Sequence, residues 1–322
     1  MKDKGKFNLL VILGATAGGK TALAVQAAGR FQGEIISADS RQVYRGMDLG
    51  TGKDLTEYGG IPYHLIDIAE PGSEYNLFRF QRECFAAVEE IWNRQRLPLV
   101  CGGTGLYLDA VLRGYRLIEV PENQALRAEF AVLSDAELQR RLLQLKPEQH
   151  NVTDLVERER LVRAIEIAVG EQTAAENLAA PPPLMPLVFG LRWPRDVLRK
   201  RIGERLRQRL SEGMLEEVRN LYEQGVPWSQ LEFYGLEYRF VAHYLQGKMA
   251  YNDMVQRLNI AIGKFAKRQE TFFRRMEKNG VVIHWLDGQG QPFEDLCAIF
   301  DRHQLVLPGE GGNVGSRSWP IP

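Results

Sequence analysis

Nothing in this chain narrows its fold as sharply as the stretch from Leu9 to Arg30. Five apolar residues, Leu9 to Leu13, run directly into Gly14-Ala15-Thr16-Ala17-Gly18-Gly19-Lys20-Thr21, and an alanine-rich segment from Thr21 to Arg30 follows. That order predicts a buried strand, a glycine-rich turn and a helix, with the turn matching the phosphate-loop pattern G, four residues, G-K-[ST]. The glycines let successive backbone N–H groups turn inward, Lys20 brings a point charge, and the helix start adds the positive end of its dipole. The residues expected to cradle a phosphate compound are therefore Gly14, Thr16, Ala17, Gly18, Gly19, Lys20 and Thr21, with the Thr21 hydroxyl as a ligand for Mg²⁺. The pattern occurs by chance elsewhere, and its place between a strand and a helix is what makes it specific here.

The rest of the chain extends the same architecture. Apolar stretches at Ile35 to Ala38 and Leu97 to Cys101 end in Asp39-Ser40 and Gly102-Gly103-Thr104, with an amphipathic helix around Phe78 to Arg94 between them. Strands alternating with helices predict an α/β fold with a parallel sheet, and ligands in such sheets bind beyond the carboxyl ends of the strands. All three polar clusters fall at such ends, so they should converge. Residues 117–170 are helical in pattern and heavily charged, which predicts a helical insertion into a core made of 1–116 and 171–306. Further strands are expected at Leu187 to Leu191 and Val281 to Leu286, with helices from Asp196 to Lys278. The tail, 307–322, is rich in glycine, serine and proline and reads as disordered.

Bulk composition excludes little. With 44% hydrophobic and 25% charged residues the chain resembles an ordinary globular protein, and its formal net charge of zero leaves nucleic-acid binding to local basic surfaces. Cys84, Cys101 and Cys297 lack the spacing of a zinc site or a disulfide framework, which points to a reducing compartment. The Leu9 to Leu13 run is too short for a signal-peptide core, and no longer apolar span follows, so no membrane association and a cytoplasmic place are expected.

The loop does not name its phosphate compound, and a nucleotide kinase or NTPase is the default. Such enzymes usually carry four apolar residues followed by Asp, a signal not evident between Leu97 and Leu191. Five blocks in order point elsewhere: Gly14 to Thr21, Ser37 to Asp48, Gly102 to Tyr107, Arg160 to Glu166 and Ala266 to Gln269. In these blocks the chain resembles the tRNA dimethylallyltransferase (isopentenyltransferase) family. The resemblance implies transfer of a dimethylallyl group from dimethylallyl diphosphate to the exocyclic amine of the adenine 3′ of the anticodon, with Mg²⁺, by a monomer that binds the tRNA anticodon stem-loop.

By this resemblance Asp39 is the base that takes the amine proton, Thr104 positions the acceptor, and Arg239 in Tyr234-Gly235-Leu236-Glu237-Tyr238-Arg239 clamps the diphosphate. A helix cap is the plainer reading of Asp39 and Thr104, and a solvated surface position that of Arg239. The expected tRNA contacts are Asp39, Ser40, Arg41, Gln42, Arg127, Glu159, Arg160, Arg163, Lys267, Arg268, Gln269 and Arg274, because an extruded base needs cations and aromatic faces around the cleft. The arginines of Arg192 to Arg209 are as readily a solvated helical face, since acids are interspersed. Arg41 stands where the family often has Met, Glu237 where it has Gly, and Asp154 to Glu157 where His-Pro-Asn-Asp is usual. These departures bear on the tRNA footprint more than on the donor site. Three rivals remain open: transfer to free adenylate, a phosphate-loop kinase, and an idle RNA-binding relative.

Overall fold

Odd and even residues of the first long strand face different cores. In the computed structural model, which describes residues 5–147, 157–174 and 180–308, a short β1 (Lys6–Phe7) precedes β2 (Leu9–Gly14). Leu9, Val11 and Leu13 of β2 join one buried cluster, Leu10 and Ile12 another. A strand buried on both faces belongs inside a parallel sheet covered by helices.

The chain continues through α1 (Lys20–Phe31), β3 (Gly33–Ala38), a 3-10 turn at Leu55–Tyr58, β4 (Tyr63–His64), α2 (Leu77–Asn93), β5 (Leu97–Gly102) and α3 (Gly105–Leu112). Helices α4 (Gln124–Ala131), α5 (Asp135–Leu145) and α6 (Arg158–Ala174) come next. They are followed by β6 (Pro186–Arg192), α7 (Arg195–Ser211), α8 (Met214–Glu223), α9 (Trp228–Phe233), α10 (Leu236–Leu245) and α11 (Tyr251–Lys278). The last elements are β7 (Ile283–Asp287), α12 (Pro292–Phe300) and β8 (Gln304–Leu305).

The six-stranded sheet has the order β4-β3-β5-β2-β6-β7, and every pair in it is parallel. After β2 the chain builds one side of the sheet, and from β6 it builds the other. The carboxyl end of β2 is thus the point where the winding reverses, the usual place for a ligand crevice. Helices α1 and α12 contribute to the core on one face, with Leu23, Phe31, Leu296 and Phe300. On the other face α2, α7, α8, α10 and α11 enclose Phe80, Ile202, Val218, Tyr238 and Phe273.

The expected α/β fold and its five principal strands are present, with ends displaced by a residue or two. Strands β1 and β8 pair with each other in a separate sheet, a contact that two-residue strands leave without a readable period. No described helix is long and apolar enough to cross a membrane. The segment expected to be a disordered tail lies largely outside the described residues, and its first part is ordered as far as Pro308.

The chain divides into one unit of 1–114 with 182–322 and a second of 115–181. The boundaries differ from the expected 117–170 because α6 runs on to Ala174. In the second unit Phe130, Leu138, Leu142, Leu161, Ile165 and Ala168 form the core. Asn123 caps α4 by accepting from the Leu126 N–H, and Ser134 with Glu137 forms a capping box on α5.

Within this unit two of the expected tRNA contacts, Arg127 and Arg163, meet a buried carboxylate. Glu166 is buried, and a buried carboxylate persists only when paired. Arg127 Nε donates to it at 2.8 Å, Arg163 Nη1 at 3.1 Å and the Asn123 N–H at 2.9 Å. Arg163 also donates to the Val120 carbonyl at 2.6 Å. Both guanidiniums are therefore engaged inside the unit, with about a third of each side chain still exposed.

Burial pushes the Glu166 carboxyl up, but the bonds from Arg127, Asn123 and Arg163 outweigh it and hold the group below the ordinary carboxylate value. The resulting stabilisation is full above that ordinary value and fades as pH falls through the lowered one. Amide protection factors in α4 and α6 should accordingly drop between about pH 6 and about pH 3. Glu166→Gln should flatten that dependence; an unchanged profile would remove Glu166 as its source.

Candidate active site

The loop after β2 is held open by its own backbone. Gly18 N–H donates to the Ala15 carbonyl at 3.2 Å, and Ala17 and Gly19 take positive φ angles of 58° and 84°. Gly19 is the N-cap of α1 and makes no side-chain cap, so the first-turn N–H groups are available to an anion. Lys20 Nζ donates to the Ala15 carbonyl at 2.9 Å, which folds the ammonium back over the loop. Burial pushes the Lys20 ammonium below its ordinary value, with Arg205 acting the same way and Asp39 close enough to oppose it.

Sheet register brings the other two clusters alongside. Gly102 of β5 pairs with Leu13 on one side and Ala38 on the other, so Gly14, Asp39 and Gly103 leave the sheet together. Asp39 Oδ1 accepts the Arg41 N–H at 2.9 Å. Thr104 is the N-cap of α3 by position but makes no side-chain cap. Its hydroxyl oxygen instead accepts the Ser40 N–H at 3.2 Å, tying the Asp39 turn to the β5 turn.

Gln269, another of the expected tRNA contacts, joins the third edge of this arrangement. The side chain is buried; its Oε1 accepts the Thr16 N–H at 2.9 Å and its Nε2 donates to the Gly103 carbonyl at 2.9 Å. It braces two of the site's turns through both ends of its amide. Gln42 is likewise engaged, accepting from Ser37 Oγ at 2.9 Å and donating to the Gly52 carbonyl at 3.1 Å.

The segment from Asp39 to Asp54 is fastened from several directions. Glu217 of α8 accepts the N–H groups of Asp48, Leu49 and Gly50 at 2.9, 2.6 and 3.0 Å, and also the Tyr238 hydroxyl. Lys53 is buried and donates to the Tyr44 carbonyl and to the carboxylates of Asp48 and Asp67. Such over-determination suits a segment that must present a carboxylate at a fixed place.

Arg239 does not face the phosphate loop. It is exposed, donates to the Glu232 carbonyl at 3.0 Å, and is absent from the lining of the loop's cavity, so the structure does not support its expected role as clamp. Arg201, Arg205 and Arg209 of α7 border that cavity of about 320 Å³ instead, opposite Gly18 to Thr21 and beside Asp54 and Glu57. Arg201 Nε donates to the Ala17 carbonyl at 2.9 Å, with its guanidinium over the Trp193 ring. Sequence reading left these residues as readily a solvated helical face as an RNA contact; their spacing of four, which aligns them on one helix face, was the available signal.

Of the remaining expected contacts, Lys267, Arg268 and Arg274 are exposed along α11, and among the described residues their side chains form no hydrogen bond or ion pair, Arg268 lying over the Phe265 ring at 5.7 Å. Arg41 lies over the exposed Phe233 ring at 5.1 Å. Glu159 and Arg160 are exposed on α6, Arg160 being paired with Glu157 at 2.9 Å. The departure at Asp154 to Val156 lies outside the described residues.

A parallel sheet with a phosphate loop at its switch point, flanked by a carboxylate and a threonine, defines the class of phosphate-loop α/β proteins. Comparison narrows this: the family model for IPP transferase matches residues 42–276, and the chain belongs to that family. It is 60% identical over 293 residues to tRNA dimethylallyltransferase 2 of Syntrophotalea carbinolica, covering 91% of this chain and 98% of that relative. It is 61% identical over 293 residues to tRNA dimethylallyltransferase 1 of Geotalea uraniireducens, covering 91% and 96%. Among solved structures, the full-length tRNA isopentenylpyrophosphate transferase from Bacillus halodurans aligns with a TM-score of 0.67 at 30% identity, over 93% of this chain and 96% of that one. A eukaryotic dimethylallyltransferase acting on tRNA aligns with a TM-score of 0.74 at 25% identity, over 92% and 78%.

Proposed function

We propose that the protein is a tRNA dimethylallyltransferase of the cytoplasm, transferring a dimethylallyl group from its diphosphate to the adenine 3′ of the anticodon. The observation that carries this reading is the convergence of Asp39, Thr104 and Lys20 at three adjacent strand ends, in a chain of this family. An adenine amine is a weak nucleophile because its lone pair is delocalised into the ring. As its nitrogen bonds to the donor's first carbon, the carbon–oxygen bond breaks, the electron pair leaves with the diphosphate, and Asp39 takes the amine proton. The Thr104 hydroxyl accepts from Ser40, so its own hydrogen is left to orient the base. Loop N–H groups and Lys20 meet the charge that grows on the departing diphosphate.

Mg²⁺ fits this cavity, since the Thr21 hydroxyl stands in it with the carboxylates of Asp54 and Glu57, oxygen donors suited to a hard cation. When bound it supplies counter-charge for the diphosphate. Among the described residues no group of three or more His, Cys, Asp or Glu is arranged to hold a metal alone, and Mg²⁺ is commonly held jointly with substrate phosphates. The exposed cations of α11 support a macromolecular acceptor over a free nucleotide.

Purified protein incubated with Mg²⁺, dimethylallyl diphosphate and an anticodon stem-loop should yield stem-loop heavier by one dimethylallyl group less a proton. Mass spectrometry of the nuclease-digested product locates it. Turnover on free AMP with none on the stem-loop would transfer the proposal to the nucleotide rival, and phosphorylated product would transfer it to a kinase.

A further inference from the structure

We propose that Arg205 and Arg209 of α7, rather than Arg239, form the cationic wall that grips the donor's diphosphate against the phosphate loop, an assignment resting on the prenyl-transfer reading above. The two residues are four apart, so one face of α7 presents both, and both line the cavity that holds Gly19, Lys20 and Thr21.

Arg209 is the unusual member. Its side chain is only 9% exposed, its Nη2 is buried without a hydrogen-bond partner, and the nearest carboxylate oxygen, Asp54 Oδ2, is 3.6 Å away. Arg205 already donates to that same oxygen at 2.8 Å and to the Gly52 carbonyl at 3.3 Å. One carboxylate is thus shared by two guanidiniums. A buried cation without its hydrogen bonds is costly, and an anion of higher charge resolves that cost.

The facing loop is shaped around these two side chains. Gly52 has a φ of +71°, and a Cβ there would fall 1.8 Å from Arg209 Nη2 and 2.4 Å from Arg205 Nη2. Any other residue would be strained and would push both guanidiniums away. Glu237 also stands near Arg209, and burial pushes its carboxyl up, which makes it a weak counter-ion. Lys20, Arg201, Arg205 and Arg209 line this cavity together with Asp54, Glu57, Glu204 and Glu212, and among these cations Arg209 is the one whose buried Nη2 lacks an acceptor. Guanidiniums bind phosphoryl oxygens in pairs, and their hold strengthens as the leaving group gains charge.

Calorimetric titration with inorganic pyrophosphate and Mg²⁺ tests the assignment, alongside donor KM and stem-loop affinity. Arg209→Met should weaken pyrophosphate by about 10-fold or more and raise donor KM, with stem-loop affinity unchanged and partial recovery in Arg209→Lys. Arg205→Gln, at a less buried position, guards against a folding defect and should behave likewise. Wild-type pyrophosphate affinity in Arg209→Met while Lys20→Ala has lost it would overturn the assignment, as would a loss confined to Arg239→Ala. A loss of stem-loop affinity alone would give the arginines to RNA phosphate. Wild-type protein that binds no pyrophosphate would overturn the diphosphate reading itself, and the wall with it.

Discussion

Asp39→Asn is expected to lower turnover by about 100-fold or more while leaving pyrophosphate affinity close to that of wild type. The amide keeps an oxygen to accept the Arg41 N–H, so the turn after β3 should retain its shape. What disappears is the basic lone pair within reach of the amine. Loss of a general base at a fixed position costs transition-state stabilisation without a matching loss of ground-state binding, so kcat should fall and donor KM should hold. Single-turnover rates with saturating stem-loop and donor measure this directly. Wild-type rates in Asp39→Asn would remove the carboxylate from the chemistry and leave it as a structural turn residue.

Gln269→Leu is expected to destabilise the protein by about 2–4 kcal/mol and to weaken donor binding, with a smaller effect on stem-loop affinity. Leucine is similar in bulk but leaves the Thr16 N–H and the Gly103 carbonyl unpaired, and each buried orphan is costly. The phosphate loop and the β5 turn would also lose their common brace, so the loop N–H groups would no longer be held in one geometry. Urea unfolding and pyrophosphate titration separate the two effects. Should stem-loop affinity alone collapse, with stability intact, Gln269 would be an RNA contact after all.

The contrast between Gln269 and Lys267 shows how far residue identity carries. Both belong to the block Ala266 to Gln269 and both were assigned to RNA from it, yet the helix turns Lys267 to solvent and Gln269 into the core. Two positions on a helix differ by about 200° in direction, so neighbours within one block need not share a partner. Arg127 and Arg163 follow the same logic. Arg163 lies in the readable block Arg160 to Glu166 and Arg127 outside every block, but the carboxylate they enclose, Glu166, is identified as buried only once α4 and α6 pack.

Local chemistry alone decided the phosphate loop, the five principal strands and the placing of Asp39 and Thr104 at strand ends, because each is set by neighbouring residues. Strand periodicity, glycine spacing and the polar residue after an apolar run are short-range features that survive without tertiary context. Which cations face the loop was decided only in three dimensions. Arg209 lies 188 positions beyond Thr21 in the chain, at 209 − 21, and reaches the same cavity because α7 packs across the winding reversal of the sheet. Whether a charged side chain is solvated, pairs with a carboxylate or waits in a cavity depends on what long-range packing sets beside it.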